Sequence, residues 1–183
     1  MLIKVNKYYL YSLIMSKRAL KKYLTGLKKP ELEEQMVDLY DRFPAVKQYY
    51  DFVFNPREDK WVQEAKVKIS NEYFPVKRKK ARARRSVAQK YIKQFLKLGM
   101  APYLIADVML FNLEIAQSYA RERNVPDSFY KSMLNSFTQL IQHVSVHELL
   151  PDFKDRIIKV YNVTLEQKWV FSEGFTRALD IID

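Results

Sequence analysis

The densest concentration of chemically active side chains in the sequence is a run of basic residues. Positions 77–85, which read KRKKARARR, hold seven lysines and arginines and no acid. Lysine and arginine bind phosphate through charge, and the release of counterions from a nucleic acid favours such binding whatever the base sequence. Arginine adds a planar group that can contact one phosphate through two hydrogen bonds. Residues 76–85, called the basic segment below, therefore predict an exposed surface that binds a polyanion.

The helix predicted to follow extends this surface. If residues 81–98 form one helix, polar and basic side chains recur every three or four positions along one face, at Arg82, Arg85, Gln89, Lys93 and Lys97. The opposite side is apolar and is predicted to pack on the core, through Val87, Tyr91, Phe95 and Leu98. The residues predicted to bind nucleic acid are Lys77, Arg78, Lys79, Lys80, Arg82, Arg84, Arg85, Lys93 and Lys97.

The distribution of charge supports a dedicated binding surface. The chain carries a net charge of +11, from 32 Lys and Arg against 21 Asp and Glu. Residues 1–30 hold eight basic residues and residues 73–106 hold ten, and neither stretch holds an acid. The remainder has 14 basic and 21 acidic residues, so it is acidic overall. Such asymmetry favours a polyanion-facing surface over a charge that serves solubility alone. The alternatives stay open that the basic segment docks on an acidic protein partner, that the acidic remainder of this chain satisfies it, or that it is a solvated loop.

Two residue pairs could hold a metal ion. His143 and His147 are the only histidines and lie four apart, but the sequence HVSVHE lacks the glutamate inside the pair that zinc proteases use. A third ligand would have to be Asp152 or a remote residue, and two histidines near a helix end more often serve packing or capping. Asp107 and Glu114 lie seven apart on one face of an apolar helix, where buried carboxylates could share a proton or a metal. We expect a structural role instead: the two acids form the solvent-facing side of the helix, or they meet a basic neighbour such as an arginine of the cationic helix.

Other catalytic patterns are weak. Pro151-Asp152 and Glu166-Gln167-Lys168 resemble parts of a metal-dependent nuclease core, but those cores place the residues on adjacent strands and these segments have helical spacing. The sequence has no glycine-rich phosphate loop, no serine in a nucleophile elbow and no cysteine. We therefore predict a non-enzymatic protein with no catalytic residue, metal or cofactor. A metal-dependent helical enzyme is the weaker alternative.

Hydrophobic spacing predicts helices along the chain. Helix boundaries are indicated by Ser16 as a cap, by Pro30 and Pro102 as first residues, and by Gly99 beyond a helix end. Asn55-Pro56-Arg57-Glu58 resembles a capping box. Seven or eight helices and no sheet make an all-α single-domain bundle or irregular helical array over 15–183. The segment behind Pro102 is apolar on nearly every side and is predicted to be the central buried helix.

The first 14 residues are predicted either as an extension upstream of a natural start at Met15 or as an amphipathic N-terminal helix. Their apolar run is shorter than the roughly 20 residues that a membrane span needs. The central helix is interrupted by Asp107, Asn112 and Glu114, so it is not predicted to span a membrane either. Together with the absence of cysteine, this predicts a cytoplasmic protein without a membrane partner.

Four segments resemble an uncharacterised family of bacterial cytoplasmic proteins, a domain of unknown function. They are MSKRALKKYL (15–24), YYDFVFNPRED (49–59), RRSVAQKYIKQFLKLGMAPYLIADVML (84–110) and SFYKSMLNSF (128–137). The resemblance covers most of the chain from Met15 onward, where members of that family tend to begin. It implies a bacterial origin and a helical fold. It implies no activity, so no functional residue is carried over from it.

Overall fold

The computed structural model describes residues 16–77 and 80–181. Within these ranges the chain forms nine α-helices and no strand, which confirms the all-α class. The predicted number of seven or eight helices is too low. The helices are α1 (Lys17–Thr25), α2 (Lys29–Arg42), α3 (Pro44–Phe54), α4 (Glu58–Tyr73), α5 (Arg85–Leu98), α6 (Pro102–Arg121), α7 (Asp127–Val146), α8 (Leu150–Glu166) and α9 (Ser172–Leu179). No helix of the described ranges has both the length and the apolar character that crossing a bilayer requires.

The chain divides into two compact units, with the boundary between Asn55 and Pro56. The boundary falls inside the range predicted as a single helical domain, and the number of domains stays a prediction. The N-terminal extension predicted over 1–14 lies outside the described residues, as do Arg78 and Lys79 of the basic segment.

The first unit contains α1, α2 and α3 and buries little. Ser16 caps α1 as predicted, because its hydroxyl accepts a hydrogen bond from the backbone N–H of Ala19 at 3.2 Å. Neither α1 nor α2 contains a buried residue, and α3 contains one, Phe52. Helices of 9 to 14 residues are marginal in water without tertiary packing, so this unit has few contacts to stabilise it.

The second unit is organised around α6, as the sequence predicts. Nine residues of α6 are buried, and the helix packs against α4, α5, α7 and α8. An aromatic cluster lies beside its C-terminal half, where the ring of Tyr73 meets Tyr119 edge-on at 5.7 Å and Phe129 at 6.5 Å. Burial of these large side chains is the main favourable term for this unit.

Two helix starts differ from their prediction. Helix α5 begins at Arg85 rather than at residue 81, so Arg82 lies in the preceding loop and not on the helix face. Helix α4 begins at Glu58 with Arg57 as its N-cap, whereas the predicted capping box requires Asn55 as the cap and Pro56 as the first helical residue. The carboxylate of Glu58 instead accepts a hydrogen bond from the backbone N–H of Ala101 at 3.0 Å. This bond joins the start of α4 to the N-cap residue of α6, 43 positions later in the chain.

Candidate nucleic-acid interface

Glu72, at the end of α4, fixes the second half of the basic segment. Its side chain is buried, and its backbone carbonyl accepts hydrogen bonds from the N–H groups of Arg82 at 3.0 Å and Ala83 at 2.9 Å. Its carboxylate accepts two more from Arg84, from Nε at 2.8 Å and from Nη2 at 3.1 Å. These bonds hold Ala83 at a φ of +47°, a region that non-glycine residues seldom adopt. The loop before α5 is therefore ordered by one acidic residue.

Arg85 turns towards α7 rather than towards solvent. Its guanidinium donates to Ser136 Oγ at 2.7 Å and to Gln139 Oε1 at 2.9 Å. Burial lowers the pKa of Arg85, because partial removal from water destabilises the charged form of its guanidinium. The apolar side of α5 also differs from the prediction, since Ala88, Ile92 and Phe95 are its buried residues while Val87, Tyr91 and Leu98 are only half-buried.

The other described cations of the basic segment point to solvent. Lys77, Lys80 and Arg82 are exposed. Across residues 16–77 and 80–181, no carboxylate forms an ion pair with any of these three side chains. The prediction that the segment is exposed therefore fits these three residues, whereas Arg84 and Arg85 are bonded to the protein.

A second row of cations runs along α5. Lys90, Lys93 and Lys97 are spaced by three and four residues, so they share one face of the helix, and all three are exposed. None forms an ion pair with a carboxylate of the described chain. Lys93 and Lys97 were predicted for this surface. Lys90 was missed, although its spacing from Lys93 and Lys97 was visible in the sequence.

The row on α5 adjoins the end of α4. Lys90 lines an open groove together with Arg84 and with Lys68 of α4. Acids lie on this side as well. Glu72, which pairs with Arg84, lines the same groove. Burial and then the charge of Glu64 raise the pKa of Tyr91. The basic segment and the exposed face of α5 are therefore neighbouring parts of one cationic area on the second unit.

The predicted carboxylate pair belongs to a charge network. Arg156 of α8 donates to Asp107 Oδ1 at 2.8 Å and to both carboxylate oxygens of Glu114 at 3.0 Å. Lys66 of α4 donates to the other oxygen of Asp107. Burial alone would raise the pKa of Asp107, but the hydrogen bonds from Lys66 and Arg156 outweigh it and lower that pKa. Both acids thus have the structural role that we expected, with partners on α4 and α8 instead of the cationic helix.

The two histidines lie together at the C-terminal end of α7. His143 Nε2 donates to the backbone carbonyl of Pro102 at 2.9 Å, and its ring lies 4.6 Å from that of His147. Burial lowers the pKa of His143, and the neighbouring His147 lowers it further. No group of three or more potential metal ligands occurs in the described ranges, so Asp152 does not complete a set with the two histidines.

The nuclease-like pattern is also not assembled. Asp152 lies in the first turn of α8 and Glu166 is the last residue of the same helix. Fourteen residues at 1.5 Å each separate them by about 21 Å. The sequence expectation that both segments are helical is confirmed, and helical geometry keeps the two acids too far apart for one metal.

Comparison with known proteins gives a family and no activity. The chain matches a family of unknown function (DUF6155) over residues 15–183. No curated protein and no solved structure matches it. The predicted resemblance to a family of unknown function is therefore confirmed. The bacterial origin and the cytoplasmic location stay predictions.

Proposed function

The chain belongs to this family of unknown function, from which no activity follows, and we propose that it is a nucleic-acid-binding protein without enzymatic activity. The proposed contact surface comprises the basic segment and the exposed face of α5. Binding takes place through phosphate groups and is largely independent of base sequence, because lysine and arginine on an open surface recognise charge rather than base edges.

One observation carries this proposal: six exposed cations have no ion-pair partner among the described residues. They are Lys77, Lys80, Arg82, Lys90, Lys93 and Lys97. They fall inside residues 73–106, a stretch without any acid. Exposed like charges repel one another, and a phosphodiester backbone relieves that repulsion while it releases its own counterions.

Arg84 and Arg85 have a different role from the one first predicted. Arg84 is neutralised by Glu72, and Arg85 is held by two neutral oxygens of α7. These bonds order the start of α5 and the loop before it, so the two arginines support the surface. The free cations of the loop and of α5 supply the phosphate contacts.

The test is fluorescence anisotropy with labelled single- and double-stranded DNA and RNA over a series of salt concentrations. Phosphate contacts make the logarithm of affinity fall linearly with the logarithm of salt concentration, by about 0.9 per neutralised phosphate on duplex DNA. Replacing Lys77, Lys80 and Arg82 together by glutamine is expected to weaken binding and to reduce this slope by up to about 2.7, three times the value for one phosphate.

A matched control removes the same charges elsewhere. Lys154 and Lys159 on α8 and Arg177 on α9 are exposed, have no described ion pair and offer two lysines and one arginine. Their replacement by glutamine is expected to leave most of the slope intact. If the two triple variants lose the same affinity, binding follows net charge and not this surface. If the unaltered protein does not bind nucleic acid even at low salt, docking on an acidic protein partner becomes the better explanation of the surface.

A further inference from the structure

A cavity of about 470 Å³ lies between the loop before α5, the end of α6 and the start of α7. Three arginines line it, Arg82, Arg84 and Arg85, and none of its lining residues is acidic. Asp127, the first residue of α7, is exposed and is not part of the lining. A cavity of this size accommodates a small anionic ligand, and the charge of its wall determines the sign of that ligand.

The charge of Arg85 is the strongest argument for an anion. Its guanidinium is half-buried, and within the described ranges its bonds go to the neutral oxygens of Ser136 and Gln139. A desolvated cation without a counter-charge is costly, and an anion in the adjoining cavity would compensate it. Arg84 differs because Glu72 already neutralises it, although its side chain is 49% exposed. Arg82 is exposed and has no described ion pair.

Further hydrogen-bond donors border the same cavity. Ser86 belongs to the first turn of α5 and Ser128 to the first turn of α7, and both line the cavity. Neither helix has a side-chain cap. The N–H groups of Val87 and Phe129 donate to the carbonyls of their cap residues, Arg84 at 3.2 Å and Pro126 at 2.8 Å. The N–H groups of Ser86 and Ser128 come before the first intrahelical hydrogen bonds. The hydroxyls and N–H groups would add short hydrogen bonds to an anionic oxygen beside the arginines.

Part of the remaining wall is apolar and aromatic, beside the polar Asn124 and Ser132. Tyr119, Val125, Pro126 and Phe129 line it. The guanidinium carbon of Arg123 lies 4.9 Å from the centre of the Tyr119 ring, which holds that ring in place. The wall gives a flat apolar group attached to the anion a surface on which to pack.

We propose that this cavity binds a phosphate monoester, carried by a nucleoside monophosphate or by the 5′ end of a nucleic acid. A phosphate monoester has a charge of about −1.5 to −2 at neutral pH and three terminal oxygens, which match several arginines and hydroxyls converging on one space. The 5′-end form of the proposal rests on the proposed function. It adds recognition of the chain end to contacts along the backbone.

The experiment compares one oligonucleotide with a 5′-phosphate and with a 5′-hydroxyl by anisotropy, with a nucleoside monophosphate and inorganic phosphate as competitors. The phosphorylated form is expected to bind about 10- to 100-fold more tightly, the range given by one or two charge-assisted hydrogen bonds. Competition by the monophosphate and weaker competition by inorganic phosphate would show that both the phosphate and the apolar wall contribute.

Two serine variants locate the effect. Ser128→Glu places a negative charge in the cavity, and because an acid in the first turn of a helix is stabilising, the protein is expected to fold. It should abolish the preference for the 5′-phosphate. Ser118→Glu makes the same change at an exposed position of α6 outside the cavity and should retain the preference.

The outcomes separate this inference from the proposed function. Equal binding of the two oligonucleotides, together with no competition by the nucleoside monophosphate, would overturn the cavity proposal and leave backbone binding intact. Binding of the nucleoside monophosphate alone, abolished by Ser128→Glu, would support the cavity and overturn the nucleic-acid function. A 5′-phosphate preference that survives Ser128→Glu would place the recognition elsewhere and overturn the inference.

Discussion

The guanidinium of Arg84 donates two hydrogen bonds to the carboxylate of Glu72, from Nε to Oε2 at 2.8 Å and from Nη2 to Oε1 at 3.1 Å. The same residue accepts the N–H groups of Arg82 and Ala83 through its backbone carbonyl. A single buried acid therefore neutralises Arg84 through its carboxylate and fixes the backbone of Arg82 through its carbonyl. Twelve residues separate Glu72 from Arg84, so the pair connects the end of α4 to the start of α5.

Replacing Glu72 with glutamine is expected to lower stability and to strengthen binding to nucleic acid. Glutamine keeps the size of the side chain and the backbone carbonyl, but it removes the charge that neutralises Arg84. The loss of one charge-assisted pair corresponds to a decrease in Tm of about 2–4 °C in a chain of this length. The freed guanidinium adds a positive charge to the surface, so affinity for duplex DNA at low salt should rise.

Glu166→Gln is the matched control for that variant. Glu166 is the last residue of α8, is exposed and makes no described ion pair, so its replacement changes the net charge equally at a position outside the proposed surface. Thermal unfolding and anisotropy are measured on both variants. An equal Tm for Glu72→Gln and the unaltered protein would show that the pair contributes nothing to folding.

The sequence predicts the helices well and their partners poorly. The apolar spacing behind Pro102 predicts the position of α6, and Gly99 predicts the end of α5. Both signals are local in the sequence. The predicted start of α5, at residue 81, is four residues too early. The two alanines of residues 81–83 favour a helix, but the backbone N–H groups of Arg82 and Ala83 bond to Glu72 instead. Tertiary contacts override weak local preferences in this way.

On the candidate surface, too, the sequence predicts which residues are exposed but not which of them have bonding partners. Basic composition predicts that Lys77, Lys80 and Arg82 are exposed, and they are. Composition does not distinguish them from Arg84, whose partner lies on another helix, or from Arg85, whose partners lie more than 50 residues later. A cation becomes available or unavailable through contacts that only the folded chain brings together.

Gly99→Ala is expected to destabilise the second unit by about 1 kcal/mol. Gly99 ends α5 with a φ of +70°, as the sequence predicts for a residue beyond a helix terminus. A Cβ at this position would meet no atom within 4 Å, so the cost comes from the backbone conformation alone. Urea unfolding followed by circular dichroism measures it.

Gly26→Ala provides the comparison. Gly26 follows α1 with a φ of −84°, which alanine adopts readily, and an added Cβ would lie 3.4 Å from the nearest atom. This substitution is expected to be neutral or slightly stabilising, because alanine reduces the entropy of the unfolded chain. Equal effects of the two substitutions would contradict the assignment of the cost to positive φ.

Arg156→Met is expected to destabilise the protein by about 1–2 kcal/mol, a value reduced from that of a buried pair because a third of the side chain is exposed. Methionine retains the apolar stem and removes the charge shared by Asp107 and Glu114. In a double-mutant cycle with Glu114→Gln, the two effects should be less than additive. Additive effects would show that Arg156 and Glu114 do not interact.

The same network predicts sensitivity to acid. The folded-state pKa of Asp107 is lowered from its ordinary 3.8, so its contribution is present above pH 3.8 and is lost as pH falls through the lower folded value. Arg156→Met removes one cause of the lowered pKa. The variant should therefore lose less stability than the unaltered protein when the pH is reduced below 3.8, as measured by urea unfolding at each pH.

His143 gives a pH dependence in a higher range. Its folded-state pKa lies below the ordinary 6.5 because of burial, so the unfolded chain binds a proton before the folded protein does. Its stabilising effect is complete above pH 6.5 and declines as pH falls from 6.5 towards the folded pKa. Carboxylates bind protons mostly below this window, so Tm is expected to fall between pH 7 and pH 5.5 chiefly through this ring.

His143→Gln should flatten that profile, since glutamine is neutral throughout and can still donate an N–H towards the carbonyl of Pro102. His147→Gln, at the exposed end of the same helix, removes only the neighbouring charge and should retain most of the slope. Differential scanning calorimetry at matched ionic strength measures the three profiles. If His143→Gln keeps the full decline in Tm below pH 6.5, another group is responsible for that decline. Protonation of the buried imidazole then does not limit the stability of the contact between α6 and α7.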